Sequence, residues 1–238
     1  KEDECVNCGD CASKCPVKVP DEFDMQLRRR EAIYLYFLQG VPAAMTIDRD
    51  RCLHLTRGIC GICKKICSRE AIDFEQKDAD IKLPVGAIVV ATGFDPFDPS
   101  GITEYGYRRY RNVITSMEYE RLICASGPTG GHLERPSDGR PVKQIAFVQC
   151  AGSRDLRNNR FCSSVCCMHS TKEAMLAWEH DHDARSHIFY MDLRASGKDF
   201  QKFIARGEQQ YNIKYVRGRV AKISQDHEEN PIIWYEET

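Results

Sequence analysis

Between Cys5 and Cys67 eight cysteines fall into two runs, and their spacing constrains this chain more than any other feature. Cys5, Cys8, Cys11 and Cys15, followed by Pro16, read C-x2-C-x2-C-x3-C-P. Cys52, Cys60, Cys63 and Cys67 keep the x2, x3 rhythm after a first gap widened by residues 53–59, with Ser68 in place of the proline. Thiolates two residues apart curl the backbone around one inorganic object with the amides pointing inward. Gly9, Gly58 and Gly61 let that backbone turn and approach closely. The chain holds 13 cysteines in 238 residues. An odd number grouped in CxxC units suits metal ligation in a reducing, cytoplasmic setting better than a disulfide framework.

The first run is that of bacterial two-cluster ferredoxins, in which the fourth cysteine ligates the other cluster. Crossed ligation predicts Cys5, Cys8, Cys11 and Cys67 on one [4Fe–4S] cluster, and Cys52, Cys60, Cys63 and Cys15 on a second. Strand-like pieces at residues 45–48 and 71–74 flank the second run, as expected of a pseudo-twofold α+β ferredoxin-like domain over residues 1–80. The competing reading is a zinc-binding interaction module. Zinc needs only two CxxC pairs, which leaves four cysteines in the same rhythm without a role. Residues 21–40 read as a helical or irregular excursion whose Tyr34, Tyr36 and Phe37 serve packing.

Composition excludes several partners. With 42% hydrophobic and 29% charged residues and a net charge of −1, the chain offers no basic surface for nucleic acid or anionic lipid. The basic clusters at residues 28–30 and 108–111 have acidic residues close by and read as solvated faces. No apolar run reaches the length of a membrane span, and no secretory pattern opens the chain. Four residues precede Cys5 and a strand-like run ends the sequence, which reads as a piece of a larger polypeptide.

Residues 83–94 read Leu-Pro-Val-Gly-Ala-Ile-Val-Val-Ala-Thr-Gly-Phe. The apolar centre predicts a strand buried in a parallel sheet, delivering Ala91, Thr92 and Gly93 at the end where α/β sheets bind ligands. The Gly-rich stretch 127–131 follows a helix-like segment (117–125) and reads as a loop. From residue 143 onward the pattern alternates: strand 143–149, helix 168–179, strand 188–193, helix 199–211, strand 213–216. That predicts a parallel, right-handed, doubly wound sheet of the dinucleotide-binding type. Its first βα turn carries Cys150, Cys162, Cys166 and Cys167 instead of phosphate-cradling glycines. Four thiolates there suit a third [4Fe–4S] cluster, whose negative charge gains from the helix N-terminus. The alternatives are buried structural thiols or a redox disulfide between Cys150 and Cys162. Cys124, mid-helix and alone, reads as a packed thiol. The expected division is 1–80, 81–142 and 143–238.

The Ala91-Thr92-Gly93 turn resembles the one that closes over FAD in two-dinucleotide-binding-domain flavoproteins such as thioredoxin reductase. The whole set of motifs closely resembles the A subunit of heterodisulfide reductase and its bacterial homologues. The residues that carry this likeness are the ferredoxin run, Gln149-Cys150-Ala151-Gly152-Ser153-Arg154-Asp155, Phe161-Cys162-Ser163-Ser164-Val165-Cys166-Cys167-Met168, Gly127 to His132, Arg135 to Gly139, and Phe189 to Arg194. The resemblance implies an iron–sulfur flavoprotein oxidoreductase that carries FAD and [4Fe–4S] clusters. It implies flavin-based electron bifurcation between ferredoxin and a disulfide-reducing partner, in a hetero-oligomeric complex. If the flavin sits where the Thr92-Gly93 turn implies, Lys172 reaches its N5 edge and acts catalytically, with Ser153 and Arg154 as further contacts. The FAD fingerprint itself would lie upstream of Lys1. An NAD(P)H-dependent flavoprotein like the small subunit of glutamate synthase is the alternative, against which the missing glycine fingerprint at residues 150–155 argues.

Overall fold

The computed structural model describes residues 1–237 and divides the chain into two compact units, Lys1–Phe94 and Asp95–Thr238.

The first unit is built from short pieces because its cysteine loops leave little room for regular structure. Helix α1 (Asp10–Ser13) and helix α3 (Ile62–Ile66) pack together, each carrying one cysteine of a run, while α2 (Leu53–Arg57) fills the widened gap. Strands β1 (Lys18–Pro20) and β2 (Arg29–Glu31) pair antiparallel, as do β3 (Ile33–Tyr34) and β4 (Thr46–Ile47), with Ile33 opposite Ile47. Cys11, Ile33 and Ile72 form the core, with Met45, Ile47, Cys63, Cys67 and Phe74 packed against it. The excursion 21–40 is thus a hairpin and turns, held by ion pairs. Buried Arg30 donates to Asp48 at 2.9 Å and to Glu22 at 2.9 Å, and covers the Tyr34 ring. A buried guanidinium demands such partners. Residues 71–74 form no strand; Ala71 and Ile72 are buried in the core, and the Ala71 carbonyl accepts from the N-terminal ammonium of Lys1 at 2.8 Å.

The expected strand at 87–91 does not form either. Residues 83–94 are irregular and unpaired, with Ile88, Val89 and Val90 at 81%, 90% and 79% exposure. A strand needs a neighbour to satisfy its backbone, and none of the described strands pairs with this segment.

The second unit is a mixed α/β fold. Strands β5 (Gln144–Val148), β6 (Arg185–Tyr190) and β7 (Lys214–Gln225) are parallel and adjacent in that order, joined through α5 (Cys166–His180) and α6 (Phe200–Gln210). Strand β8 (Pro231–Glu237) then adds antiparallel to β7. The connection at residues 226–230 is too short for a crossover, so only a hairpin can follow, and Asp226 ties it by accepting from the backbone of Glu228 and Asn230. The sheet is therefore mixed, and it is wound one way rather than doubly. Three strands in sequential order send both crossovers in one direction, which sets α5 and α6 on the same face, where they pack together. Helix α4 (Ser116–Ile123) joins that face, started by a capping box between Thr115 and Glu118. Tyr119, Phe147, Ala174, Met175, Ile188 and Ile213 make its core. The opposite face buries Phe189, Val216, Val220 and Ile223 beneath Tyr105, Tyr110 and Val113. No described helix is long and apolar enough to cross a membrane.

Candidate metal centres

In the first unit a concavity of about 370 Å³ is walled by Cys15, Cys52, Cys60 and Cys63. The helix α1 run thus sends its last cysteine across to the second run, the juxtaposition that crossed ligation calls for. Burial pushes the Cys63 thiol up, and its neighbours Cys52, Cys60 and Cys15 push it further. His54 stacks on Phe74 with ring centroids 3.9 Å apart, and both rings line the same wall. On the other side Cys11 is buried, with the Cys63 and Cys8 thiols beside it, and Cys67 packs against the same core. The Cys67 sulfur accepts a backbone N–H from Ala71 at 3.4 Å.

The second unit builds its site at the C-terminal ends of its parallel strands. After β5 the chain enters a tight loop with Cys150 at φ +59°, Gly152 at φ +68° and Arg154 at φ +56°. Gly152 is obligatory there, since a Cβ would come within 2.2 Å of the Phe97 ring. Ser153 Oγ donates to the Phe161 carbonyl at 2.8 Å, the Arg154 N–H donates to the same carbonyl, and Asn159 donates to the Gly152 carbonyl. The folded-back loop returns Cys162 to Cys150, while Cys166 and Cys167 open α5. All four line one concavity of about 280 Å³, together with Ser163, Ser164, Arg154, Asp192 and Arg194.

Two backbone donors point at these sulfurs, and a hydroxyl lies beside a third. The Ser164 N–H lies 3.3 Å from Cys162, the Arg194 N–H lies 3.4 Å from Cys167, and Ser163 Oγ lies 2.7 Å from Cys166. Arg154 donates to Asp192 at 2.7 Å, and its second terminal nitrogen, Nη1, is buried with no hydrogen-bond partner. Burial raises the Cys150 and Cys167 thiols, offset in part by the Arg154 charge at Cys150 and chiefly by the Arg194 N–H at Cys167, and pushes Cys11 up to about 11. Reactive cysteines have the reverse property, a depressed pKa. Buried thiols of this kind ionise when a metal takes the proton's place. All thirteen cysteines are free thiols.

Sulfur spacing separates two classes of metal. Four thiolates on one zinc, at about 2.3 Å each, lie roughly 3.8 Å apart. Among the described residues no three cysteine sulfurs fall within 4.8 Å of one another. The thiol donor set is compatible with an iron–sulfur cluster.

Other expected site residues are placed elsewhere. Lys172 lies on α5 beyond the cysteines, and its ammonium is held by Glu120 of α4 at 3.2 Å and buried Glu173 at 3.1 Å. Burial alone would lower this lysine's pKa, but the two carboxylates outweigh it and raise it. Glu120, His169 and Glu173 gather within 4.8 Å, a cluster that sequence spacing did not reveal because α4 and α5 meet only in the fold. The ammonium of Lys172 already supplies its cation. Ser153 and Arg154 are committed to the cysteine loop. Ala91, Thr92 and Gly93 are exposed in the unpaired segment and form no cradle. Cys124 is half-buried just past the end of α4, not mid-helix, beside the Ser126 hydroxyl at 3.3 Å.

No protein-family profile matches the chain, but curated relatives do. One of the two iron–sulfur A subunits of the CoB–CoM heterodisulfide reductase of Methanopyrus kandleri is 49% identical over 239 residues, taking in 100% of this chain and 36% of the relative. The iron–sulfur A subunit of the CoB–CoM heterodisulfide reductase of Methanocaldococcus jannaschii is 46% identical, with the same coverage of 100% and 36%. The A subunit of the ferredoxin/F420H2-dependent CoB–CoM heterodisulfide reductase of Methanosarcina acetivorans is 38% identical over 100% of this chain and 29% of its own length. The chain spans about a third of the length of such relatives. With its full length matched at these identities, and with the cysteine loops placed as described, the chain belongs to the family of heterodisulfide reductase A subunits.

Proposed function

We propose that this chain is the electron-transfer part of a heterodisulfide reductase-type oxidoreductase, holding three [4Fe–4S] clusters on twelve of its cysteines. Its first unit is read as a two-cluster ferredoxin-like domain, with Cys5, Cys8, Cys11 and Cys67 on one cluster and Cys15, Cys52, Cys60 and Cys63 on the other. Cys150, Cys162, Cys166 and Cys167 hold the third. The observation that carries the proposal is that cysteines distant in sequence line single concavities, with Cys15 joining the second run and Cys150 joining Cys162, Cys166 and Cys167.

When bound, such clusters take up one electron at a time, where a flavin exchanges pairs. The chain's own part is to hold and tune. Its thiolates grip iron. The N–H groups of Ala71, Ser164 and Arg194 hydrogen-bond to ligand sulfurs and so ease the added charge of reduction. The α5 N-terminus and Arg154 add positive potential beside the third site.

FAD, bifurcation between ferredoxin and disulfide branches, and hetero-oligomeric assembly in the cytoplasm are proposed for the complete subunit. The described residues do not by themselves make a flavin cradle. Ala91, Thr92 and Gly93 would serve one once residues 83–94 are paired by a further strand, and Lys172 would act at the flavin after leaving its carboxylates. The relatives' names support the disulfide-reducing assignment, and some name ferredoxin as well.

Iron and acid-labile sulfide quantification of anaerobically purified protein tests the proposal. The Cys166→Ser substitution should remove about four irons, one cluster's worth. Unchanged iron would dismiss the third site, and a colourless zinc protein would dismiss all three.

A further inference from the structure

We infer that Arg154 and Asp192 form a charge-setting pair for the cysteine site on α5, Arg154 raising the site's affinity for electrons and Asp192 holding that effect in check. The inference rests on the proposed third cluster and goes beyond it, because it assigns a role to two residues that are not ligands.

The topology brings the pair together. Arg154 lies in the turn after β5 and Asp192 just beyond β6, and these strands are parallel neighbours, so their C-terminal ends lie side by side. Both residues line the concavity of the four cysteines. The Arg154 side chain is only 23% exposed and is fixed at one end by its 2.7 Å bond to Asp192.

Its other terminal nitrogen, Nη1, is buried without a hydrogen bond of full geometry, and the guanidinium lies beside the Cys150 thiol, which it acts on directly. A buried charged donor without a full acceptor is unfavourable, so a stronger acceptor at this position would be stabilising. Ligated thiolate and sulfide are the acceptors that a cluster would bring to this wall. The backbone is also held in unfavourable conformations around the site. Cys150, Arg154 and Ser164 are all non-glycine residues in the left-handed region, at φ +59°, +56° and +62°. Strain of this kind persists where surrounding structure over-determines a functional geometry.

The choice of arginine matters for the chemistry. A guanidinium stays charged at every working pH, so its pull on the site is constant. Reduction by one electron adds one negative charge next to it and is favoured. The Asp192 carboxylate, half exposed on the rim, cancels part of this field. The Lys172 ammonium is neutralised by Glu120 and Glu173 and cannot replace it.

The test is a redox titration, followed by electron paramagnetic resonance, of that cluster in the complete subunit within its complex. At the wild-type midpoint, Arg154→Gln should lower the ratio of reduced to oxidised cluster about tenfold, a fall of about 59 mV for a one-electron couple. Asp192→Asn should move the ratio in the opposite direction, and Arg154→Lys should stay near wild type. A purely structural role would give shifts of the same sign, or loss of iron, in both charge variants. Potentials that move together, or that stay within about twofold, would overturn the inference. If Arg154→Gln loses the cluster, the opposite-sign expectation still stands or falls on Asp192→Asn. Should Cys166→Ser leave iron unchanged, the cluster reading itself fails; should it remove about four irons while the potentials do not separate, only the charge pair fails.

Discussion

Crossed ligation can be read out by counting iron in paired substitutions. Cys15 follows Cys5, Cys8 and Cys11 closely in the sequence, yet it shares a wall with Cys52, Cys60 and Cys63. Two clusters in this unit amount to about eight irons, so each single substitution, Cys15→Ser or Cys52→Ser, should remove about four. The double variant should also remove about four, since both sulfurs serve one cluster and the second change finds nothing left to release. Pairing Cys15→Ser with Cys8→Ser should instead remove about eight. Ligation within each run would reverse the two results. Losses that add for independent sites and fail to add for a shared one are the logic of the double-mutant cycle. Iron and labile sulfide per chain, measured anaerobically with circular dichroism to confirm that the fold persists, provide the assay. A loss of about eight irons in the Cys15/Cys52 pair would refute the arrangement.

Ile188 is completely buried at the centre of the helix-covered face, in the cluster with Phe147 and Met175. The Ile188→Ala variant should therefore lose about 2–5 kcal/mol of stability, read from denaturant unfolding of the whole chain. For Glu173, burial raises the carboxyl pKa against the opposing pull of Lys172, so the folded state holds its proton more tightly than the unfolded chain. The resulting stabilisation is complete below about pH 4, the usual glutamate range, and is lost as pH rises through the folded value. Glu173→Gln should flatten that decline; unfolding midpoints that fall equally in both proteins would refute it.

How much was legible in the sequence depended on how local the signal was. The alternation after residue 143 located β5, α5, β6 and α6 within a few residues, because the 3.6- and two-residue periods act over one element at a time. The same alternation left open the face on which the helices lie. It also left open the pairing of the strand-like run near the C-terminus, β8, whose antiparallel course follows from the short connection at residues 226–230, and it missed the reach of β7 to Gln225. The apolar run 87–91 carries the strand signal without the strand, since pairing is a property of two segments and none of the described strands pairs with it. Residues 71–74 failed in the same way: their apolar character serves core packing and not a ladder.

For the candidate centres, the sequence by itself determined the ligand chemistry. Cysteine spacing along one tight loop dictates which thiolates can wrap a common object, and that depends only on a few bond rotations. Only the tertiary structure decided what surrounds those thiolates. It brought Cys15 across to the second run, set Arg154 against Asp192, and placed Lys172 between carboxylates of two helices. Those contacts join residues far apart in the chain, and burial and charge act through space, so no reading of sequence neighbours could supply them.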